Sequence, residues 1–199
     1  SLPSILVALL NSLLATVSQT AIAFFGIYFK LQSFIYMPAN GLIQGMRPLI
    51  SYNYGANKPN RVIETLKYSI IGETIIALIG FLAVQLLPDT IIRMFNDEAE
   101  VIALGTKAIR IWFICLPVLG IQIMAANYFQ CIGKIKIASI LNLLRQIIIL
   151  IPVMLLLSSL IGLDGIFIAV PIADFSAFVI TVILFIRSLK KNFMHKKNQ

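Results

Sequence analysis

Between Ile5 and Phe29 the chain runs for 25 residues without one charged side chain. A helix of about 20 mostly apolar residues is enough to cross the hydrocarbon core of a bilayer, so such a run points to lipid as the solvent. Long, sparsely charged stretches recur as far as residue 187. Of the 199 residues, 59% are hydrophobic and 12% are charged, where a soluble domain carries roughly 25% charged residues. The mean hydropathy is +0.95. One core of this size cannot hide so much apolar surface from water. That excludes an ordinary soluble globular domain, a disordered chain and, despite a net charge of +8, a nucleic-acid partner.

The apolar stretches predict an all-α integral membrane protein with six transmembrane helices, near residues 2–17, 21–46, 62–87, 107–131, 137–160 and 165–187. Ser18-Gln19-Thr20 separates the first two. The helices fill residues 1–189 as one transmembrane unit, and residues 190–199 form a basic tail. The first helix is short for a full crossing, and residue 1 is Ser rather than Met. Both suggest a processed chain or a piece of a longer one. No positive n-region and small-residue cleavage site mark a signal peptide.

The connections test that count. Arg47, Lys58, Arg61 and Lys67 lie between the second and third helices, Lys134 and Lys136 between the fourth and fifth, and Arg187, Lys190, Lys191, Lys196 and Lys197 at the end. If all six helices cross, these 11 basic residues share one side, while Asp89, Asp97, Glu98, Glu100 and Asp164 share the other with only three basic residues. Basic connections stay in the cytoplasm, so the turn at 47–61 and the C-terminus are expected there. His195 is then a solvated tail residue, and the tail a stop-transfer anchor rather than a lipid-binding patch.

Four expected helices contain proline (Pro38, Pro117, Pro152 and Pro171), which removes a backbone donor and kinks a helix. Kinks in several helices suit a bundle that bends. Cys115 and Cys131 lie in apolar sequence without disulfide or metal-ligand spacing. No His-Glu-x-x-His, Gly-x-Ser-x-Gly or cysteine–histidine constellation appears, so the chain does not read as an enzyme, and no metal site is expected.

Mechanism is sought among the polar groups inside the apolar stretches. An ionisable group at mid-bilayer costs from about 2.5 kcal/mol upward unless it is paired or wet. Lys30, Glu73, Arg145 and Asp174 are four such groups. Counted at about 1.5 Å per residue, Glu73 and Arg145 lie roughly 16 and 12 Å from one face, and Asp174 and Lys30 fall at a similar level. One neutral middle layer is therefore expected, with Arg145 and Asp174 paired, since consecutive helices usually neighbour each other. The same four groups read equally well as ion pairs that fix helix register. A mid-membrane carboxylate can also exchange a proton as a cavity opens to one side and then the other. Glu73 and Asp174 are the candidates for ion coupling, with Lys30 and Arg145 as their charge partners. Tyr36, Asn40, Gln44, Gln122, Asn127 and Gln146 are candidates to line a substrate cavity, although interhelical packing is the commoner role of any one of them.

The segment Gly41-Leu42-Ile43-Gln44-Gly45, followed by Pro48, Ser51-Tyr52-Asn53-Tyr54-Gly55-Ala56 and Arg61, resembles a motif in the second half of MATE (multidrug and toxic compound extrusion) transporters. Tyr128-Phe129-Gln130-Cys131-Ile132-Gly133-Lys134, Arg145-Gln146 with Pro152, Asp164-Gly165 and Pro171-Ile172-Ala173-Asp174 continue the resemblance over roughly residues 3–190. On this reading Gly41, Gln44, Gly45, Asn53, Gly55 and Arg61 form the family's cytoplasmic loop, where an Asn-Tyr-Gly turn lets one helix end tightly before the next begins.

The resemblance implies twelve helices in two six-helix lobes related by a pseudo-two-fold axis along the membrane normal, with this chain the C-terminal lobe of a multi-pass protein of a bacterial plasma membrane. Its partners would be the bilayer, the N-terminal lobe and an amphipathic, often cationic small molecule. It would be driven by a proton or sodium gradient and need no cofactor. Some members place coupling carboxylates on the helices that correspond to 2–17 and 107–131. Neither stretch holds Asp or Glu here, which directs attention to Glu73, to Asp174 or to the other lobe. A lipid-linked saccharide flippase of the same superfamily, which would want a more cationic cavity, and a non-transporting membrane scaffold are the alternatives.

Overall fold

The computed structural model describes residues 19–194, which are helical apart from short turns. The helix expected at 2–17 and the tail residues His195, Lys196 and Lys197 lie outside the described residues. In chain order the helices are α1 (Gln19–Gly55), α2 (Pro59–Leu86), α3 (Pro88–Arg93), α4 (Ala99–Trp112), α5 (Leu116–Cys131), α6 (Ile135–Leu143), α7 (Ile151–Ile161) and α8 (Leu163–Leu189). A wide π-helical turn, Leu144–Leu150, joins α6 to α7, and a second, Lys190–Met194, follows α8.

Three continuous helical stretches are long and apolar enough to cross a membrane: Pro59–Leu86, Ile135–Ile161 and Leu163–Asn192. The α4–α5 pair makes a fourth if its two halves are one crossing. Among the described residues, length and composition thus carry three or four of the expected crossings. α1, although 37 residues long, is not among them.

Two expected boundaries are corrected. The stretch at 107–131 is not one rod: α4 starts at Ala99, the helix breaks at 113–115, and α5 leaves at 51° to α4. Pro117 explains the break. Its ring crowds the carbonyl four residues back, at Phe113, and it offers that carbonyl no N–H. The helix expected to end at 46 continues to Gly55, so Gly41, Gly45, Asn53 and Gly55 are helical rather than parts of a turn. A Cβ on Gly41, Gly45 or Gly55 would meet nothing within 4 Å, so tight packing does not require glycine at any of them. The turn is made by Asn57, at φ 53°. Lys58 N–H donates to the Asn53 carbonyl (2.9 Å) and Asn57 N–H to the Tyr54 carbonyl (3.1 Å), the paired bonds of a Schellman ending with asparagine in the left-handed position. Pro59 then opens α2.

The wide turn at Leu144–Leu150 ends two residues before Pro152. Pro152 denies the preceding turn an N–H donor, and the helix answers by widening ahead of it. At the other end of α7 the chain reverses through Gly162 (φ 62°). There α8 presses so close to α7 that a Cβ on Gly165 would lie 2.1 Å from the Leu157 carbonyl oxygen.

Buried apolar side chains form two separate clusters. One gathers Phe24, Phe25, Tyr28, Trp112, Phe113 and Phe167 with aliphatic neighbours from α2, α3, α4, α7 and α8. The other gathers Ile43, Met46, Ile50, Val62, Leu66, Met124, Tyr128, Phe129, Leu141 and Phe185. The first lies toward the helix ends that carry Asp89, Asp97, Glu98 and Asp164. The second lies toward the ends that carry Lys58, Arg61, Lys134, Lys136, Arg187, Lys190 and Lys191. The charge segregation read from the sequence is therefore present in the fold, with Lys107 pairing with Asp164 at 2.7 Å at the acidic end.

Candidate functional site

Between the two apolar clusters each long helix contributes polar residues: Glu73 and Thr74 on α2, Gln122 on α5, Arg145 and Gln146 in the wide turn, Asp174 on α8. α1 passes the same level with Pro38, Ala39 and Asn40. The bundle thus has a polar belt with an apolar cluster on either side.

Arg145 and Asp174 meet there. Arg145 Nε donates to Asp174 Oδ1 at 2.6 Å, and the side chains are 20% and 4% exposed. Tyr28 and Tyr36 lie within electrostatic reach of the pair. Burial makes the contact matter, since each charge left alone in such surroundings would be costly. The expected pairing of these two residues is present.

Glu73 is in a different situation. It is 3% exposed, and its Oε2 has no hydrogen-bond partner. No cation lies within ion-pair distance of it among the described residues. Its side chain packs on Gly120 of α5 so closely that a Cβ there would come within 2.7 Å of Glu73 Cγ. Gly120 therefore makes room for Glu73, a relation that the sequence does not announce because it depends on the register between α2 and α5.

Lys30, expected as a charge partner in the same layer, forms no ion pair with Glu73 or Asp174. It is exposed on α1 beside the acid-end cluster, with its Nζ 6.0 Å from the Phe95 ring centre. The physical reason is the face it takes: Lys30 is on the exposed side of α1, whereas Tyr28 and Tyr36 of the same helix turn toward the pair.

The uncharged candidates divide. Asn40 and Gln44 are exposed on α1, on a stripe with Lys30, Ser33, Phe34 and Met37. The exposed faces of the Ile135–Ile161 stretch and of α8 are by contrast dominated by aliphatic side chains such as Ile140, Ile148, Leu156, Ile172 and Ile183. A mixed polar stripe suits a wet cavity or another protein surface better than lipid. Tyr36 and Gln146 are half-buried. Gln122 and Asn127 are buried, so neither is on an open face.

Asn127 has a structural partner that the charge pattern assigns to a loop. Arg47, on α1, donates to Asn127 Oδ1 through Nε (3.0 Å) and Nη2 (2.7 Å), and Nη2 also reaches Gln130 Oε1 (3.2 Å). Asn127 in turn donates to the Ile123 carbonyl. This clasp ties α1 to α5. The spacing of Ile43, Met46 and Ile50 is the available signal that α1 continues past 46. Of the remaining motif residues, Arg61 pairs with Glu64 at 3.4 Å, and Asn53 donates to the Leu49 carbonyl. Both are local contacts. Among the described residues no group of three His, Cys, Asp or Glu side chains could hold a metal ion.

Comparison with known proteins places this architecture. The MatE family model matches residues 2–156. The multidrug export protein MepA of Staphylococcus haemolyticus is 31% identical over 164 residues, which cover 82% of this chain and 36% of MepA. MepA of Staphylococcus aureus is 30% identical over 165 residues, with 83% and 36% covered. Among solved structures, the MATE multidrug transporter DinF-BH is 39% identical, with a TM-score of 0.79 over 85% of this chain and 38% of that one. A multidrug resistance MATE family transporter in an outward-facing conformation reaches a TM-score of 0.87 at 18% identity, over 95% of this chain and 43% of that one. At that identity the likeness shows the fold alone. The chain spans little more than a third of the length of the MepA relatives.

Proposed function

Because the chain belongs to the MatE family, we propose that it forms one lobe of a two-lobed transporter that exports amphipathic, often cationic compounds by proton- or sodium-coupled antiport. The second lobe would come from sequence beyond this chain. The cavity would lie between the lobes, with the mixed stripe of α1 (Lys30, Ser33, Phe34, Met37, Asn40 and Gln44) as this lobe's contribution to its wall.

The observation that carries the coupling is Glu73. An ionised carboxylate buried without a counter-charge costs far more than the neutral acid. Asp174 has Arg145 beside it as a counter-charge. Glu73 has no such partner and sits in the belt between the two apolar clusters. In this reading it binds a proton in one conformation of the transporter and releases it when water enters from the other side. Ion and substrate each drive the cycle only through different affinities for the two states. Arg145 is engaged by Asp174, so the saccharide-lipid flippase reading is left with Lys30 as the cation of the α1 stripe.

The test is dye efflux from vesicles that contain the complete protein, with Glu73→Gln beside the parent. Glu73→Gln keeps the shape and removes the ionisable group. Loss of gradient-driven export by at least about a hundredfold, the usual scale for a positioned proton-transfer group, is the expected result, with insertion level unchanged. Export at the parental rate would remove Glu73 from the coupling. Exchanging sodium for potassium at a constant pH gradient separates the two ions.

A further inference from the structure

At the basic end a cavity of about 380 Å³ opens between the α1–α2 turn and the end of α8. Asn53, Tyr54, Lys58 and Pro59 line it from one side, and Lys191 and Asn192 from the other. None of its lining residues is acidic. Both walls are fixed. The Schellman bonds hold the turn. Asn192 Nδ2 donates to Tyr128 Oη and to Ser188 Oγ, each at 3.2 Å, which anchors the end of α8 to α5. The cavity therefore holds two cations in a built setting, beside the N-terminal end of α2, where the helix dipole also favours negative charge.

A second opening shares Asn53 with this cavity. It runs between α1 and α2 for about 390 Å³ and is lined by Leu42, Leu49 and Tyr68, with Thr65, Ser69 and the Arg61–Glu64 ion pair along its edge. Leu49 and Tyr68 are both more than half exposed. A free anion needs the cationic cavity but has no use for the apolar side chains of the groove that joins it. A molecule with a negative head and an acyl chain uses both.

We propose that this pair of openings binds one anionic phospholipid of the leaflet at the basic end, with its phosphate between Lys58 and Lys191 and one acyl chain in the α1–α2 groove. The positive-inside rule makes that the cytoplasmic leaflet, where anionic headgroups attract lysines near the surface. The site would join three helices, α1, α2 and α8, at the end where α1 turns back. It does not depend on which compound the transporter exports.

The test uses the complete protein in detergent, titrated with short-chain phosphatidylglycerol, with thermal stability as the readout of binding. Phosphatidylglycerol is expected to raise the melting temperature, while phosphatidylcholine of the same chain length and inorganic phosphate are not. Each lysine near the headgroup contributes about fivefold in affinity. Lys58→Gln with Lys191→Gln should therefore bind about thirtyfold more weakly, and Lys191→Gln alone, at a helix end where unfolding is not at issue, about fivefold more weakly. Lys136→Gln with Lys190→Gln removes the same charge outside the cavity lining and should stay within about threefold of the parent. Equal losses in both double variants would show diffuse charge attraction and overturn the site. An equal rise with phosphatidylcholine, or an equal rise with inorganic phosphate, would overturn the anionic lipid as occupant.

Discussion

The Arg145–Asp174 contact can be tested by a double-mutant cycle. With charge centres about 4 Å apart and an effective dielectric near 20, the attraction is about 4 kcal/mol. Removing either partner forfeits it and leaves the other charge in a belt where the two side chains are 20% and 4% exposed. Loss of one partner of a buried pair typically costs about 3–5 kcal/mol. Asp174→Leu and Arg145→Met are each expected near the lower end of that range, because Arg145 keeps some access to its surroundings. Replacing both, as Arg145→Met with Asp174→Leu, removes attraction and desolvation together and should lie within about 1–2 kcal/mol of the parent. The assay is reversible unfolding of the complete protein in mixed micelles, scored by circular dichroism. The reasoning predicts a coupling energy above about 2 kcal/mol. Single variants that each cost less than about 1 kcal/mol, with a double variant equal to their sum, would mean that the two charges are solvated independently and that the belt is wet at this point.

Two further predictions concern close approaches. Gly120→Ala would press a Cβ to 2.7 Å from Glu73 Cγ and should destabilise by about 1–3 kcal/mol, as overpacking does; adding Glu73→Ala should restore most of that loss, and a melting curve that shows no rescue would separate the two residues. Gly165→Ala would set a Cβ 2.1 Å from backbone, which cannot swing aside, and should cost more than Gly120→Ala. Gly41→Ala, with open space around it, should be neutral or gain up to about 1 kcal/mol of helix propensity in the same melting assay.

Much of this architecture is legible in the sequence because lipid imposes simple rules. Apolar length locates α2, the Ile135–Ile161 stretch and α8, and the segregation of lysines from aspartates orders the ends. The pairing of Arg145 with Asp174 is legible too, since α8 follows α7 directly and the two charges fall at matching depth. What escapes is what depends on register between distant helices. Lys30 is misread as a partner because the face it takes on α1 is set by packing, and α1 runs nine residues past the expected end at 46. Arg47 reads as a loop cation for the same reason, and its clasp on Asn127 cannot be seen until both helices have a register. The turn chemistry is legible in kind but not in place. An asparagine does take the left-handed position, but it is Asn57, and the Asn-Tyr-Gly segment before it remains helical. Nothing in the pattern of α2 or α5 alone says that Gly120 makes room for Glu73.

The wide turn at Leu144–Leu150 has a consequence for how its span can move. A π turn takes one residue more per bond than an α turn, so α7 is wound out of step with α6 by about one residue, or about 100° of rotation. That phase slip lets Leu141 bury itself in one apolar cluster and Met154 in the other. Such a slip can migrate along a helix one bond at a time without unwinding either side. Moved by a turn, it would swing the Arg145 guanidinium off Asp174 while every residue of the span stayed helical.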